Sequence, residues 1–380
     1  MKFMHLSDLH LGKYLIETPL RDDQAYILDQ IVDIARREQP QAVLIAGDVY
    51  DRSNPPAEAM VLFSGFLEKL TRLGCKVMVI SGNHDSSDRV AYLGELVRES
   101  GVYLSPVYDG SIEPVTLNDD WGEVDFWLLP FVHPEVAKGV FPEETIKDAN
   151  DAVGLALSRL AVNTSHRNVI LSHQFIAGSR FDAREQKAVG TLDNVNPALY
   201  DAFDYVALGH IHGEQAIGRP DGTMRYCGTP LKYSKREALS EKSVTLVELG
   251  PKGDIRVDHR ALKPLREVRL EKGLFDELID RGPKLGQEDD YYFITLTDED
   301  DPPHAAARLR ERFGKVLAVD YDNSRTRANS IVDVTAVEVE DKSPMALMME
   351  LYQMVNNREM GDEEKAFFER VVQEMEGFEE

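Results

Sequence analysis

Five short stretches carry side chains that could do chemistry together. They are DLH, with Asp8 and His10; GDVYD, with Asp48 and Asp51; GNHD, with Asn83, His84 and Asp85; SH, with His173; and GHIH, with His210 and His212. Between them they offer carboxylates, imidazoles and one amide oxygen. Magnesium and calcium favour oxygen-only cages, whereas this mixture suits borderline divalent ions such as manganese, iron or zinc. A single histidine is more often a packed or surface residue than a ligand. Here five of the ten histidines fall in or beside such motifs, each after an apolar run. In DLH and HIH the outer residues sit two apart. In an extended segment they point to one side while Leu9 or Ile211 points into the core. Gly47, Gly82 and Gly209 would let the backbone turn sharply beside the ligands. His133, His166, His259 and His304 read as surface or loop residues, and His5 as packed within the first strand.

The elements that must position these residues are legible as an α/β alternation up to about residue 250. Apolar runs predict strands over 3–7, 42–47, 76–81, 124–130, 168–173, 204–210 and 243–249. Amphipathic stretches predict helices over 22–39, 57–74 and 144–161, with Gly74 as a C-terminal cap. Side chains at the carboxyl ends of adjacent strands converge on one rim, so the motif loops can share a site. DIRVDHRAL reads as a last strand, leading out through KPLREVRL. The domains are therefore expected at 1–262, for the catalytic unit, and 263–341, for a smaller α/β unit. The second has strands near 291–297, 315–320 and 331–338 and a helix at 304–313. The tail, 342–380, reads as helical from Ser343 and Pro344 onward, with a break at NNREMGD.

The composition is that of a globular protein, 43% hydrophobic and 29% charged. Cys75 and Cys227 lie far apart and outside any CxxC pattern, which argues against a disulfide framework and for a reducing compartment. No apolar run reaches the roughly 18 residues of a membrane helix. The N-terminal stretch lacks the apolar core of a signal peptide, so the expectation is a cytoplasmic protein with no membrane partner. The formal net charge of −24 repels phosphate backbones, so a polyanionic substrate would need bound cations or a basic partner.

The ordered series DLH, GD, GNHD, H, GHIH resembles the calcineurin-like metallophosphoesterase superfamily. More narrowly, HLSDLHLG, AGDVYDRSNPP, VISGNHDS, GHIH and YCGTPLKYS resemble the SbcD family of bacterial nuclease subunits. The resemblance implies a two-sheet α/β sandwich around a dinuclear metal centre, a smaller α/β capping domain and a C-terminal helical tail. It implies two divalent ions, manganese by expectation. Asp8, His10 and His212 would hold one, Asn83, His173 and His210 the other, and Asp48 would bridge them. His84 would face the substrate as general acid. Asp51 stands where some relatives carry histidine, and is read as a carboxylate orienting His84 or a ligand. Asp85 is expected to fix its loop by bonding backbone amides.

The implied activity is hydrolysis of phosphodiester bonds at double-stranded DNA ends and hairpins, by exonuclease and endonuclease action in DNA repair. The implied partner is an SbcC-type ATPase, with a homodimer of this chain inside a heterotetramer. The alternative is a metallophosphoesterase for nucleotides or other small phosphoesters. Candidate DNA contacts are Lys13, Tyr14, the stretch 178–187, Lys232, Lys235 and Arg236. Met345, Leu347, Met348, Leu351, Met354, Val355, Phe367, Phe368, Val371 and Val372 give the tail an apolar face for a partner.

Overall fold

The computed structural model describes residues 1–180 and 194–331, and in the tail residues 349, 352, 360, 361, 364, 365, 367 and 368. The chain divides into two compact units, Met1–Arg266 and Glu267–Glu380.

The first unit is a sandwich of two six-stranded sheets. In one, β1 (Lys2–Leu6), β4 (Ala42–Ala46), β5 (Lys76–Ile80) and β6 (Val102–Leu104) run parallel. On the far side of β1, β13 (Lys242–Leu249) and β14 (Ile255–Leu262) continue the sheet antiparallel. In the other, β8 (Gly122–Leu129), β9 (Arg167–His173), β10 (Tyr205–Gly209) and β12 (Met224–Tyr226) run parallel. The edges are β7 (Val115–Asp119) and β11 (Gln215–Ala216). The strand AVLIA is buried at every position because both of its faces are covered, which is why it reads as a continuous apolar run.

One face of each sheet forms the interior of the sandwich. Phe3, Leu44, Met78, Phe126, Leu128, Leu171, Tyr205 and Val247 meet there, with Phe3 edge-on to Phe126 and Tyr205 at 5.9 and 5.3 Å between ring centroids. His5, expected to pack in its strand, ties the two sheets together. Its Nδ1 lies 3.0 Å from the Tyr205 hydroxyl and its Nε2 3.2 Å from the Leu208 carbonyl.

Helices cover the outer faces. Helix α1 (Arg21–Glu38) buries Ile27, Leu28, Ile31 and Val32, and α2 (Ala57–Arg72) buries Phe63, Phe66 and Leu70. Gly74 sits just past the α2 C-cap at φ +86°, as its position in the sequence suggests. The short helices α3 (Ser87–Ala91) and α4 (Gly94–Arg98) follow the GNHD loop. The helix expected over 144–161 runs only from Ala149 to Ser158 as α6, after α5 (Pro134–Val140). It starts late because the Asp148 carboxylate caps it, accepting from Asp151 N at 2.9 Å. Between β1 and α1 a two-stranded hairpin, β2 (Tyr14–Leu15) and β3 (Thr18–Pro19), escapes sequence reading because two residues carry no periodicity.

The second unit has a parallel sheet of β15 (Val268–Gly273), β16 (Tyr291–Leu296) and β17 (Lys315–Tyr321). Helices α7 (Phe275–Arg281) and α8 (Ala305–Phe313) supply Phe275, Leu278, Leu309 and Phe313 to its core beside Tyr292 and Ile294. Strand β15 lies where the sequence suggested only a connection. It is an edge strand in which Val268 alone is buried, so its apolar signal is faint. The strand expected over 331–338 lies outside the described residues except for Ile331, which ends α9 (Ser324–Ile331). In the tail, Met349, Tyr352, Glu364, Lys365, Phe367 and Phe368 are helical, while Met360 and Gly361, in the expected break, are not. Ser343, Pro344 and the other apolar tail positions lie outside the described residues. Among the described residues no helix is long and apolar enough to cross a membrane.

Candidate metal centre

The five motifs leave the carboxyl ends of β1, β4, β5, β9 and β10, and main-chain hydrogen bonds bind their loops to one another. Asp8 N donates to Gly47 O (3.0 Å), His10 N to Asp48 O (3.0 Å) and Asp51 N to Leu11 O (3.2 Å). The Asp85 carboxylate adds three more ties. It accepts from Gly82 N at 2.9 Å in its own loop and from Val49 N and Tyr50 N at 3.0 and 2.9 Å in the neighbouring one. Its expected role in bonding backbone amides thus extends across two loops. On the opposite side, His210 N reaches both Asp8 oxygens at 3.2 Å.

The same-side placement of Asp8 with His10 arises differently from the alternation expected. Leu9 and Ile211 do point inward, at 1% and 8% exposure. Yet β1 ends at Leu6 and β10 at Gly209, so the pairs lie beyond the strands. Asp8, His10, Asp48 and His210 adopt φ of +53°, +43°, +49° and +105°, half of the eight non-glycine residues at positive φ among those described. Left-handed backbone, rather than β alternation, aims these side chains. Asp and His tolerate that region better than most residues. Of the three glycines, only Gly47 turns the chain, at φ +88°. Gly82 and Gly209 are needed for close approach instead. A Cβ on Gly82 would stand 2.1 Å from Asp48 Oδ1, and one on Gly209 would stand 1.9 Å from Ala46 O.

The side chains converge on a buried pocket. His10 Nε2 and His212 Nε2 are 3.1 Å apart, and with an Asp8 oxygen form a group whose donor atoms all lie within 4.8 Å. His173 Nε2 and His210 Nδ1 lie 3.1 and 2.9 Å from Asn83 Oδ1. Asp48 Oδ2 stands between the two sets, 3.6 Å from His10 Nε2 and 3.5 Å from His173 Nε2. His173 Nδ1 is fixed on the Ala46 carbonyl at 2.8 Å, which leaves Nε2 to face the pocket.

The electrostatics suit divalent cations. Asp8 and Asp48 are 0% and 2% exposed, and buried carboxylates require positive charge nearby. The neighbouring ammonium groups are engaged elsewhere: Lys13 holds Asp51 at 2.5 Å and Lys242 holds Glu237 at 2.6 Å. Burial raises the Asp8 pKa. Burial would do the same to Asp48, but His173 and His10 draw it below the usual carboxylate range. Burial also pushes His10 down, and His210 to about 3, favouring the neutral imidazole that can donate a lone pair to a metal. His173 is opposed by burial but raised to about 9 by Asp48. Among the described residues His10 Nδ1 has no hydrogen-bond partner. Two imidazole nitrogens facing each other beside buried carboxylates form a donor set that fits two cations.

His84 and Asp51 sit at the mouth of this pocket. His84 N donates to Asp48 Oδ1 at 2.9 Å, and the ring is 42% exposed with Nε2 4.0 Å from Asp48 Oδ2. The expected orientation of His84 by the Asp51 carboxylate takes another form. It is the Asp51 main-chain carbonyl that bonds His84 Nδ1, at 2.9 Å. The Asp51 carboxylate pairs with Lys13 and lies 3.8 Å from His10 Nδ1.

Supporting residues that were not singled out as candidates surround the centre. Gln24 donates to His10 O (2.8 Å) and accepts from Gly12 N (3.0 Å), and Tyr233 donates to Leu9 O (2.5 Å). Ser7 donates to Asp8 Oδ2, and Glu237 faces His212 Nδ1 at 3.4 Å. Ser7 and Tyr233 lie within the stretches HLSDLHLG and YCGTPLKYS, whereas Gln24 and Glu237 fall within no motif and reach the site only through the fold. Three of the remaining histidines have structural partners: His133 caps α5 by accepting from Glu135 N, His166 lies between Glu123 and Asp125, and His259 faces Glu214. His304 occupies the N-cap of α8 in a left-handed conformation. Both cysteines are buried and free.

A model of the calcineurin-like phosphoesterase family matches residues 1–214, and the chain belongs to that family. With the donor cluster inside the matched region, it is a metal-dependent phosphoesterase. Residues 261–356 match a second model, the type 5 capsule protein repressor C-terminal domain, also labelled as the C-terminal domain of SbcD. This pairing of domains is consistent with an SbcD-like nuclease subunit. Among solved structures the chain is similar to a dimetal phosphatase from Danio rerio, at 14% identity over 69% of this chain and 96% of that one, with a TM-score of 0.42. A protein of Thermus thermophilus matches at 11% identity over 68% and 98%, with a TM-score of 0.39.

Proposed function

We propose that this chain is a two-metal DNA nuclease acting on double-stranded ends and hairpins, as the catalytic subunit beside an SbcC-type ATPase in DNA repair. The observation that carries the reading is an SbcD-labelled domain in the same chain as a phosphoesterase domain that holds a cluster of metal donors. In this reading Asp8, His10 and His212 hold one ion, Asn83, His173 and His210 the other, and Asp48 reaches both. Divalent ions, manganese in this proposal, supply Lewis acidity and an activated water for hydrolysis. His84 supplies the proton for the leaving oxygen. With Nδ1–H committed to the Asp51 carbonyl, Nε2 is the atom free to exchange it. The Asp51 carboxylate holds Lys13 at the rim, where it meets a phosphate.

The partners follow from charge and surface. A chain of net charge −24 gains little from DNA phosphates by itself, which favours a partner that brings the DNA. Of the candidate contacts, Lys13 is ion-paired and Tyr14 is half exposed. Lys232 donates to Ala238 O at 2.7 Å, and residues 181–187 lie outside the described set. Self-association is supported by Met60 on α2 with Tyr92 and Leu93 beyond α3, exposed apolar side chains that line one groove. The domain plan proposed remains a catalytic unit over 1–262, a cap over 263–341 and a partner-binding tail over 342–380.

The test is manganese-dependent release of nucleotides from linear and hairpin-ended duplex DNA, with and without the SbcC-type partner, beside hydrolysis of bis-p-nitrophenyl phosphate. Cleavage of both substrate classes is expected. Hydrolysis of the small ester alone, with the partner present, would replace the reading with a small-phosphoester phosphatase.

A further inference from the structure

Behind the metal centre lies a buried ion pair to which the proposed reaction gives no part. Lys242, at the start of β13, and Glu237, in a single 3-10 turn over Lys235–Leu239, have side chains only 6% and 13% exposed. The Lys242 ammonium makes three contacts: Glu237 Oε2 at 2.6 Å, Thr229 Oγ1 at 2.6 Å and the His212 main-chain carbonyl at 3.2 Å. With Oε2 taken by Lys242, the other carboxylate oxygen is left to Ser234 Oγ at 3.0 Å and His212 Nδ1 at 3.4 Å. The far ring nitrogen of His212, Nε2, is the one facing His10. One ion pair therefore holds both the backbone and the ring of His212.

Desolvating a lysine and a glutamate is costly, and an apolar pair of similar volume would serve packing at least as well. We propose that Glu237 is a positioning residue for the metal centre. It accepts the Nδ1 proton of His212 and so fixes the tautomer whose Nε2 lone pair points into the donor cluster. Lys242 holds that carboxylate in place. The buried threonine of the GTP segment, Thr229, completes the cluster by accepting from Lys242 and donating toward Leu231 O at 2.8 Å. The inference rests on the reading of His212 as a metal ligand.

The experiment is calorimetric titration of manganese into the metal-free full-length chain, for the wild type, Glu237→Gln and His212→Ala. It is accompanied by nitrogen-15 spectra of the histidine rings and urea unfolding without metal. Glu237→Gln is expected to weaken one of two manganese sites by about 10–100-fold, as loss of such a partner commonly does. The other site should be unchanged, and the His212 ring should shift from a single Nδ1–H tautomer to a mixture. Should Glu237→Gln not fold, Glu237→Asp is expected to show the same selective loss. It keeps the charge beside Lys242 but withdraws it from the imidazole by one methylene. Wild-type affinity at both sites and an unchanged His212 tautomer in a folded Glu237 variant would overturn the positioning role alone, provided His212→Ala loses one site. If His212→Ala itself keeps both sites at wild-type affinity, the ligand reading fails and this inference fails with it.

Discussion

His84 and Asp85 are adjacent in one loop, yet their environments differ so much that they should fail in different ways. His84 hydrogen-bonds through one ring nitrogen and its backbone and packs edge-on to His10 rather than filling a proposed ligand position, so His84→Ala is expected to retain both metals by elemental analysis while losing most turnover. Asp48→Ala, which removes the carboxylate between the two donor sets, is expected to lose metal as well. Asp85 never reaches the centre, but its carboxylate satisfies three buried amides. Asp85→Asn places an amide NH2 against a backbone donor and is expected to cost about 2–3 kcal/mol in urea unfolding of the metal-free protein. The clustered site residues were legible in the sequence because each lies in a short motif directly after an apolar run. Asp51 shows the limit. Its side chain was expected to orient His84 or a ligand; for His84 a main-chain carbonyl does so, which leaves no trace in residue type, while the carboxylate lies 3.8 Å from His10 Nδ1. Glu237 shows another limit, since nothing local links it to a histidine 25 positions away.

The elements that carry these residues are held to tight tolerances. A methyl group on Gly209 would overlap the Ala46 carbonyl, which is the group that fixes His173 Nδ1. Gly209→Ala is therefore expected to destabilise the fold by about 1–3 kcal/mol or more and to lower metal occupancy at the same time. Unfolding midpoints and elemental analysis read the two effects separately.

At the other end of the sandwich Arg167, 2% exposed, joins the sheets. It bonds Asp119 at the end of β7 and the carbonyl of Gly250 just past β13. The hydrogen bonds from Arg167 hold the Asp119 carboxyl well below the usual range, against the opposing effect of burial. A depressed folded-state pKa adds stability above the unfolded value of about 3.9, and that stability is lost as pH falls through the folded value. The gap in unfolding free energy between wild type and Asp119→Asn should thus be full at neutral pH and narrow below about pH 4. A gap independent of pH would show that the pair is not ionic. Long parallel strands such as AVLIA were readable because both faces are covered. The edge strand β15, the hairpin β2–β3 and the late start of α6 depend on exposure, brevity and a cap, which periodicity does not report.

Across the whole molecule, the sandwich carries every proposed ligand within Met1–Arg266. A fragment ending at residue 266 is expected to bind manganese and hydrolyse bis-p-nitrophenyl phosphate at rates near those of the full chain. Loss of metal binding in the folded fragment would assign part of the centre to the remaining residues. The α/β alternation and the change of character after residue 250 were legible because composition follows burial. Acidic charge argued against a chain that grips nucleic acid by itself, and the substrate class was implied by the resemblance of its motifs, with no mark in charge or composition.

The left-handed backbone at Asp8, His10, Asp48 and His210 has a thermodynamic consequence. Such residues cost about 1 kcal/mol or more each where they are not glycine, and that cost falls entirely on the folded state. Bound cations lower the free energy of the same state by an amount that grows with the logarithm of their concentration. Chelation should therefore depress the melting temperature of the wild-type protein, and added manganese should restore it in proportion to the logarithm of its concentration. Heat, rather than turnover, then becomes a direct gauge of how much metal the protein carries.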